Sequence, residues 1–168
     1  MNVILLNGPS SAGKSSIAKA LKDRLQGSGE WRIIALDNYM TLPTDEPIWE
    51  DDVFDVMPGM CTEIARALAD NQPVIVDHVM TSQRIYNAVM DAIGSAPCLK
   101  VLVTCDREVL LQREKSRGDR FAGSAEASMT YLYPKSGYSI TVDSSKASPE
   151  QIAEKILVSL QPPADNRP

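Results

Sequence analysis

Short apolar runs alternate along this chain with stretches in which apolar residues recur every three or four positions. The first pattern predicts strands buried on both faces, the second amphipathic helices. Val3–Leu6 is the first strand, and Ile17, Leu21 and Leu25 mark the helix after it. Trp31–Leu36 reads as the second strand. The polar, proline-punctuated stretch from Thr41 to Pro58 reads as loop or short irregular helix. Ile64 and Leu68 mark a second helix that ends near Asp70-Asn71. Pro73–Asp77 is a short third strand, and Thr81 or Ser82 can cap a helix carrying Ile85 and Val89. Leu99–Val103 is the fourth strand, after which Asp106 caps a helix with Val109, Leu110 and Arg113. A Gly/Ser/Tyr-rich segment from Arg117 to Gly137 breaks the regular pattern. Ser139–Val142 is the fifth strand. Ser148-Pro149-Glu150-Gln151 has the form of a capping box with Pro at the first helical position, and the last helix carries Ile152, Ile156 and Leu160. The alternation predicts an α/β fold with a parallel sheet covered on both faces. In such folds ligands bind beyond the carboxyl ends of the strands.

Composition narrows the class. A chain of 168 residues is expected to form one domain, here residues 1–161, with a flexible tail over 162–168. No apolar run is long enough to span a membrane, and the N-terminus lacks the basic region of a signal peptide. A cytoplasmic protein is expected, with Cys61, Cys98 and Cys105 as free thiols. Those cysteines and the single histidine, His78, show no zinc-ligand spacing. A formal charge of −5 argues against a nucleic-acid partner. The oligomeric state is not legible.

The chemistry begins right after the first strand. Gly8-Pro9-Ser10-Ser11-Ala12-Gly13-Lys14-Ser15 has the form G-x-x-x-x-G-K-[ST], in the strand–loop–helix context that this motif requires. Its glycines let the backbone turn so that successive N–H groups point at phosphate oxygens. The new helix adds the partial positive charge of its N-terminus. Lys14 can reach the β- and γ-phosphates of a nucleotide, and the Ser15 hydroxyl can ligate Mg²⁺.

The other candidates follow strands or lie near the phosphate loop. Asp37, after the second strand, is either a turn former or a carboxylate that orients an acceptor hydroxyl and takes its proton. Asp77 is either a strand-end cap or the acid that supports Mg²⁺, often through water. His78 beside it either contacts substrate or is structural or partly exposed. Arg113, Arg117 and Arg120 are either a solvated basic helix end or cations at the hinge of a lid, which spans about residues 117–137. Arg117-Gly118-Asp119 also spells an adhesion tripeptide, which the missing secretion signal argues against. From Ile33 to Ala65 there is no Lys or Arg, but there are Asp45, Glu46, Glu50, Asp51, Asp52 and Asp55 with Tyr39, Trp49 and Phe54. That stretch is either an acidic surface loop with anchoring aromatics or the flank of a neutral or cationic acceptor with an aromatic wall.

Taken together, Leu6–Ser16, Leu36-Asp37-Asn38, Val74–Asp77, Arg117–Arg120 and Val142–Ser145 with Ser148-Pro149-Glu150 make the chain resemble the chloramphenicol phosphotransferase-like branch of the small P-loop kinases. The resemblance covers nearly the whole chain. It implies a three-layer, nucleoside-kinase-like P-loop fold with a five-stranded parallel sheet and a small lid. It implies ATP, Mg²⁺ and phosphoryl transfer to a small-molecule hydroxyl, a chloramphenicol-like antibiotic foremost. Asp37 would be the base, Arg117 and Arg120 would contact phosphates, and Ser15 with Asp77 would hold the metal. Nucleotide would be held by Gly8, Pro9, Ser10, Ser11, Ala12, Gly13, Lys14, Ser15 and Ser16, with Arg113 against the adenine and Ser144–Ala147 on the base's other side. The chain departs from the family in its acidic acceptor region, in His78 where a second acid is frequent, and in Tyr133 where the lid often carries a histidine. A kinase for a nucleoside, sugar or other antibiotic, and a non-catalytic ATP-binding regulatory module, are the alternatives.

Overall fold

The computed structural model describes residues 1–41 and 43–160; the expected tail over 162–168 lies outside them. Along the chain run β1 (Val3–Asn7), α1 (Lys14–Arg24), β2 (Arg32–Ala35), α2 (Glu50–Ala69), β3 (Val74–His78) and α3 (Gln83–Ile93). They are followed by β4 (Cys98–Thr104), α4 (Arg107–Arg117), α5 (Ser124–Tyr131), β5 (Ile140–Asp143) and α6 (Pro149–Val158). The five strands are ordered β2-β3-β1-β4-β5, and every neighbouring pair is parallel.

All of β1 is buried, which is why its sequence is a continuous apolar run rather than an alternation. Successive side chains point to opposite faces. Ile4 and Leu6 join a core with Ile17 and Leu21 of α1 and Ile152 and Ile156 of α6. Val3 and Leu5 join a second core with Met57, Met60 and Ile64 of α2 and Ile85 and Val89 of α3. The result is the expected three layers. Among the described residues no helix is long and apolar enough to cross a membrane.

Several boundaries differ from the sequence reading, each for a local reason. The stretch expected to stay irregular up to Pro58 is helical from Glu50 onward, and α2 runs straight through the proline. Pro58 is exposed, while Met57, Met60, Ile64 and Ala67 form one buried stripe across it. Burial of that stripe outweighs the missing N–H. Glu50, Asp51 and Asp52 suit the positive end of the helix dipole, and the Asp52 carboxylate accepts the Trp49 amide at 2.8 Å. The Gly/Ser/Tyr-rich segment holds a helix as well, α5, anchored by buried Ala125 and Ser128. Asp106 stands at the N-cap of α4, but its side chain makes no capping hydrogen bond. The caps at Ser82 and Ser148 form as expected: Ser82 accepts the Ile85 amide at 3.2 Å, and Ser148 and Gln151 cap each other.

Asn7, the last residue of β1, is fully buried with every hydrogen-bonding position of its amide used. Its Nδ2 donates to the Tyr133 carbonyl (2.9 Å) and the Tyr138 hydroxyl (2.7 Å). Its Oδ1 accepts the amides of Gly8 (2.9 Å) and Met80 (3.0 Å). One side chain therefore fixes the entry to the phosphate loop, the loop after β3, and the Tyr133–Tyr138 segment.

Two stability predictions follow from these residues. Pro58→Ala restores an interior helix hydrogen bond at an exposed position and should stabilise the protein by roughly 1–3 kcal/mol in urea denaturation. An unchanged midpoint would show that α2 has fully adapted to the ring. Asn7→Leu should lower stability by at least about 2 kcal/mol, because buried donors and acceptors lose their partners. A loss well below that in the same assay would mean that neighbouring groups or water take over its role.

Candidate active site

The phosphate loop joins β1 to α1, and its shape is set by two glycines and one serine. A Cβ at Gly8 would overlap the Val103 carbonyl oxygen, so the backbone can pass there only as glycine. Gly13 (φ 86°) and Ser11 (φ 61°) lie in the left-handed region, and the Ala12 amide between them donates to the Pro9 carbonyl at 3.3 Å, which closes the turn. Lys14 is buried at 6% exposure, and its Nζ donates to the Pro9 carbonyl at 2.9 Å. Burial lowers its pKa, while the carboxylates of Asp77 and Asp37 oppose that shift. The Ser11 hydroxyl is buried without a hydrogen-bond partner. A cationic side chain, an unpartnered hydroxyl and the N-terminus of α1 fit a phosphate group.

Ser15 and Asp77 come together as expected, with the hydroxyl donating to the carboxylate at 2.6 Å. Among the described residues no three His, Cys, Asp or Glu side chains cluster as a metal cage. A hydroxyl with one carboxylate is a hard oxygen pair that fits Mg²⁺, which keeps several waters and takes further ligands from phosphate.

Asp37 follows β2 in a single 3-10 turn, Leu36–Asn38. Its carboxylate accepts from Arg120 Nη2 at 2.6 Å; the arginine side chain is 12% exposed and the aspartate 49%. Arg117 turns instead to Asp119, with contacts of 3.0 and 3.1 Å, and that hydrogen bonding holds Asp119 below the usual carboxylate range. Lys14, Ser15, Asp37, Asp77, Arg117 and Arg120 all line one cavity of about 660 Å³, as do Ser10, Ser11, Gly13 and Ser16. Gly8, Pro9 and Ala12 do not line it. Arg113 does not line it either. Its guanidinium donates to the Ser144 carbonyl (2.8 Å) and hydroxyl (3.1 Å) and lies 3.7 Å from where a Gly13 Cβ would stand.

The other half of the cavity is mostly apolar. Leu36, Met40, Ile48 and Trp49 from the region after β2 line it, as do Phe121 and Tyr131 from the segment around α5. Of the acidic run, only Glu50 lines the cavity, and its carboxylate is engaged by the Ser82 hydroxyl at 2.6 Å. Asp51 pairs outward with Arg84 at 2.9 Å. Of the aromatics expected as a wall, Trp49 alone serves. Tyr39 donates to Glu63, and Phe54 lies under the Arg84 guanidinium at 3.4 Å. The acidic stretch is therefore largely a solvated face, as its plainer reading had it.

His78 is buried, not exposed, with Nε2 3.2 Å from Met57 Sδ. Burial, reinforced by the Lys14 charge, pushes its pKa down to about 3. A neutral imidazole facing the α2 core takes the structural reading. Phe121, Tyr131 and Ser128 escaped the sequence reading, because small polar residues hide the period of α5. Ser128 is buried, and its hydroxyl accepts the Ser10 amide at 2.9 Å.

Comparison with known proteins places this geometry. No curated protein matches the sequence. Among solved structures, a sugar kinase from Janibacter sp. HTCC2649 superposes with a TM-score of 0.74 at 16% identity, covering 95% of this chain and 94% of that one. The APS kinase of Mycobacterium tuberculosis, solved with AMPPNP and APS, gives 0.72 at 17% identity, with 95% and 96% covered. A gluconokinase from Sinorhizobium meliloti 1021 gives 0.68 at 19% identity, with 95% and 91% covered. At these identities the likeness establishes the fold, that of the P-loop kinases. The sequence itself matches the model described as chloramphenicol phosphotransferase-like protein over residues 1–161, a span that takes in the loop, the Ser15–Asp77 pair and the residues that line the cavity. This chain belongs to the chloramphenicol phosphotransferase-like family.

Proposed function

We propose that the protein is an ATP-dependent O-phosphotransferase for a hydroxyl on a small, neutral, largely apolar molecule. The observation that carries this reading is the convergence of the phosphate loop, the Ser15–Asp77 pair and the Asp37–Arg120 pair on one cavity with an apolar far half. Loop amides and Lys14 hold the β- and γ-phosphates. Ser15 and Asp77 hold Mg²⁺. Held by that pair, the ion would neutralise charge on the phosphate oxygens. Asp37 orients the acceptor hydroxyl and takes its proton as the oxygen bonds to the γ-phosphorus and ADP leaves. Arg120 exchanges its contact with Asp37 for the transferring phosphoryl, and Arg117 does the same from Asp119. The protein's contribution is position and charge, not covalent chemistry.

The cavity also bears on the acceptor. A phosphorylated acceptor needs cations on its own side, and the apolar half contributes none. A cationic acceptor is best matched by several carboxylates, and of the acidic run only Glu50 lines the cavity. Both observations favour a neutral compound, and chloramphenicol, a neutral aromatic alcohol, is the first to test.

Phosphate transfer from γ-labelled ATP to chloramphenicol and a panel of neutral and cationic alcohols tests the reading. Asp37→Asn should leave ATP affinity within about threefold and lower transfer by roughly 10²–10⁴. Equal loss of binding and transfer would make Asp37 a structural residue. Trp49, 68% exposed, lines the cavity outside the phosphate loop and is taken to contact the acceptor and not ATP. Trp49→Ala should raise the acceptor KM about fivefold or more and spare the KM for ATP. A change confined to ATP would place the acceptor elsewhere. If no alcohol is labelled while ATP binds, the regulatory reading takes over.

A further inference from the structure

Two carboxylates join α4 to α5, and they differ in kind. At the surface Glu126 of α5 accepts from Arg107 Nε at 2.9 Å, both residues being more than half exposed. In the interior Glu114 of α4 reaches the first turn of α5. Its Oε1 accepts the Ala125 amide at 2.6 Å and its Oε2 the Gly123 amide at 3.0 Å. Glu114 is only 8% exposed, and among the described residues no Lys or Arg forms a salt bridge with it. Its partners are the open N–H groups and positive end of α5, which favour a carboxylate over any neutral group.

The arrangement continues to the phosphate loop. One turn along α5, the Ser128 hydroxyl donates to the Ala125 carbonyl at 2.8 Å and accepts the Ser10 amide at 2.9 Å. Glu114 also stands beside Arg113 and one turn before Arg117, on the helix that leads into the segment carrying Arg120. A hydrogen-bonded path thus runs from Glu114 through the start of α5 and Ser128 to Ser10. A buried carboxylate is tolerated only when its oxygens are satisfied, and here that condition is met by α5 in one position.

We propose that Glu114 is a positioning residue: its carboxylate fixes the start of α5, so that Ser128 meets Ser10 and the arginine-bearing segment is set over the phosphate loop. Its effect on turnover rests on the kinase reading; its hold on α5 does not. Glutamine at this position can reach the same atoms, but it lacks the charge and turns an NH₂ group toward one of the two amides.

The test compares Glu114→Gln with Arg107→Ala, which breaks the exposed link between the same two helices. Amide hydrogen exchange, thermal midpoint, ATP affinity by calorimetry with Mg²⁺, and ATP turnover at saturation are measured for each. Glu114→Gln should speed exchange at residues 123–128 about tenfold or more, with the rest of the chain unchanged. Turnover should fall by about tenfold or more, while the ATP dissociation constant stays within about threefold. Arg107→Ala should match the wild type in all four. Unchanged exchange at residues 123–128 in Glu114→Gln overturns the proposal. So does exchange that rises across the whole chain with a matching fall in midpoint, or an equal effect from Arg107→Ala. If the wild-type protein neither binds nor consumes ATP, the kinase reading fails, and the exchange comparison alone decides the role of Glu114.

Discussion

A buried ammonium governs the layout of this protein. Lys14 opens α1 below the surface, where its charge is unfavourable unless opposite charge and polar partners surround it. The Pro9 carbonyl supplies one partner, and the fields of Asp77 and Asp37 supply the opposing charge. Those carboxylates come from β3 and from the turn that follows β2. They can serve Lys14 because β3 lies beside β1 and β2 beside β3, all with carboxyl ends on the same edge. The parallel order of the sheet and the chemistry of the loop are thus one constraint seen at two scales.

Around that centre the two halves of the cavity are built differently. The phosphate side is polar and held by backbone, with conformations at Gly8 and Gly13 that other residues cannot adopt without strain or overlap. The far side is a wall of apolar side chains from the region after β2 and from the segment around α5. Of the acidic run before and within α2 only Glu50 lines the cavity, and its carboxylate accepts from the Ser82 hydroxyl. Arg120 links the halves through its contact with Asp37, at the point where an acceptor hydroxyl and a phosphoryl group would meet.

Much of this was legible in the sequence. The phosphate loop announces itself, because phosphate binding demands those residue types at that spacing beside a strand and a helix. Strands β1 and β3 were legible because a strand buried on both faces is apolar through most of its length, as Val3–Leu6 and Val74–Val76 are. Asp37 and Asp77 could be named as candidates because strand ends in a parallel sheet share an edge. Helix α2 was misjudged at Pro58 because a local rule, that proline breaks helices, met a buried stripe of methionines and Ile64 that no local rule weighs.

By itself the sequence determined the parallel α/β architecture, the phosphate loop and the acids at its edge, since each follows from composition over a few neighbouring positions. Only the tertiary structure decided which charges matter. It sent Asp51 outward to Arg84, buried His78 against Met57, paired Arg120 with Asp37, and turned Glu114 into the start of α5. Those outcomes depend on residues 11 to 83 positions away in the chain. A charged residue reads the same in sequence whether it faces water or a partner; burial and distance separate the two, and both are properties of the folded chain alone.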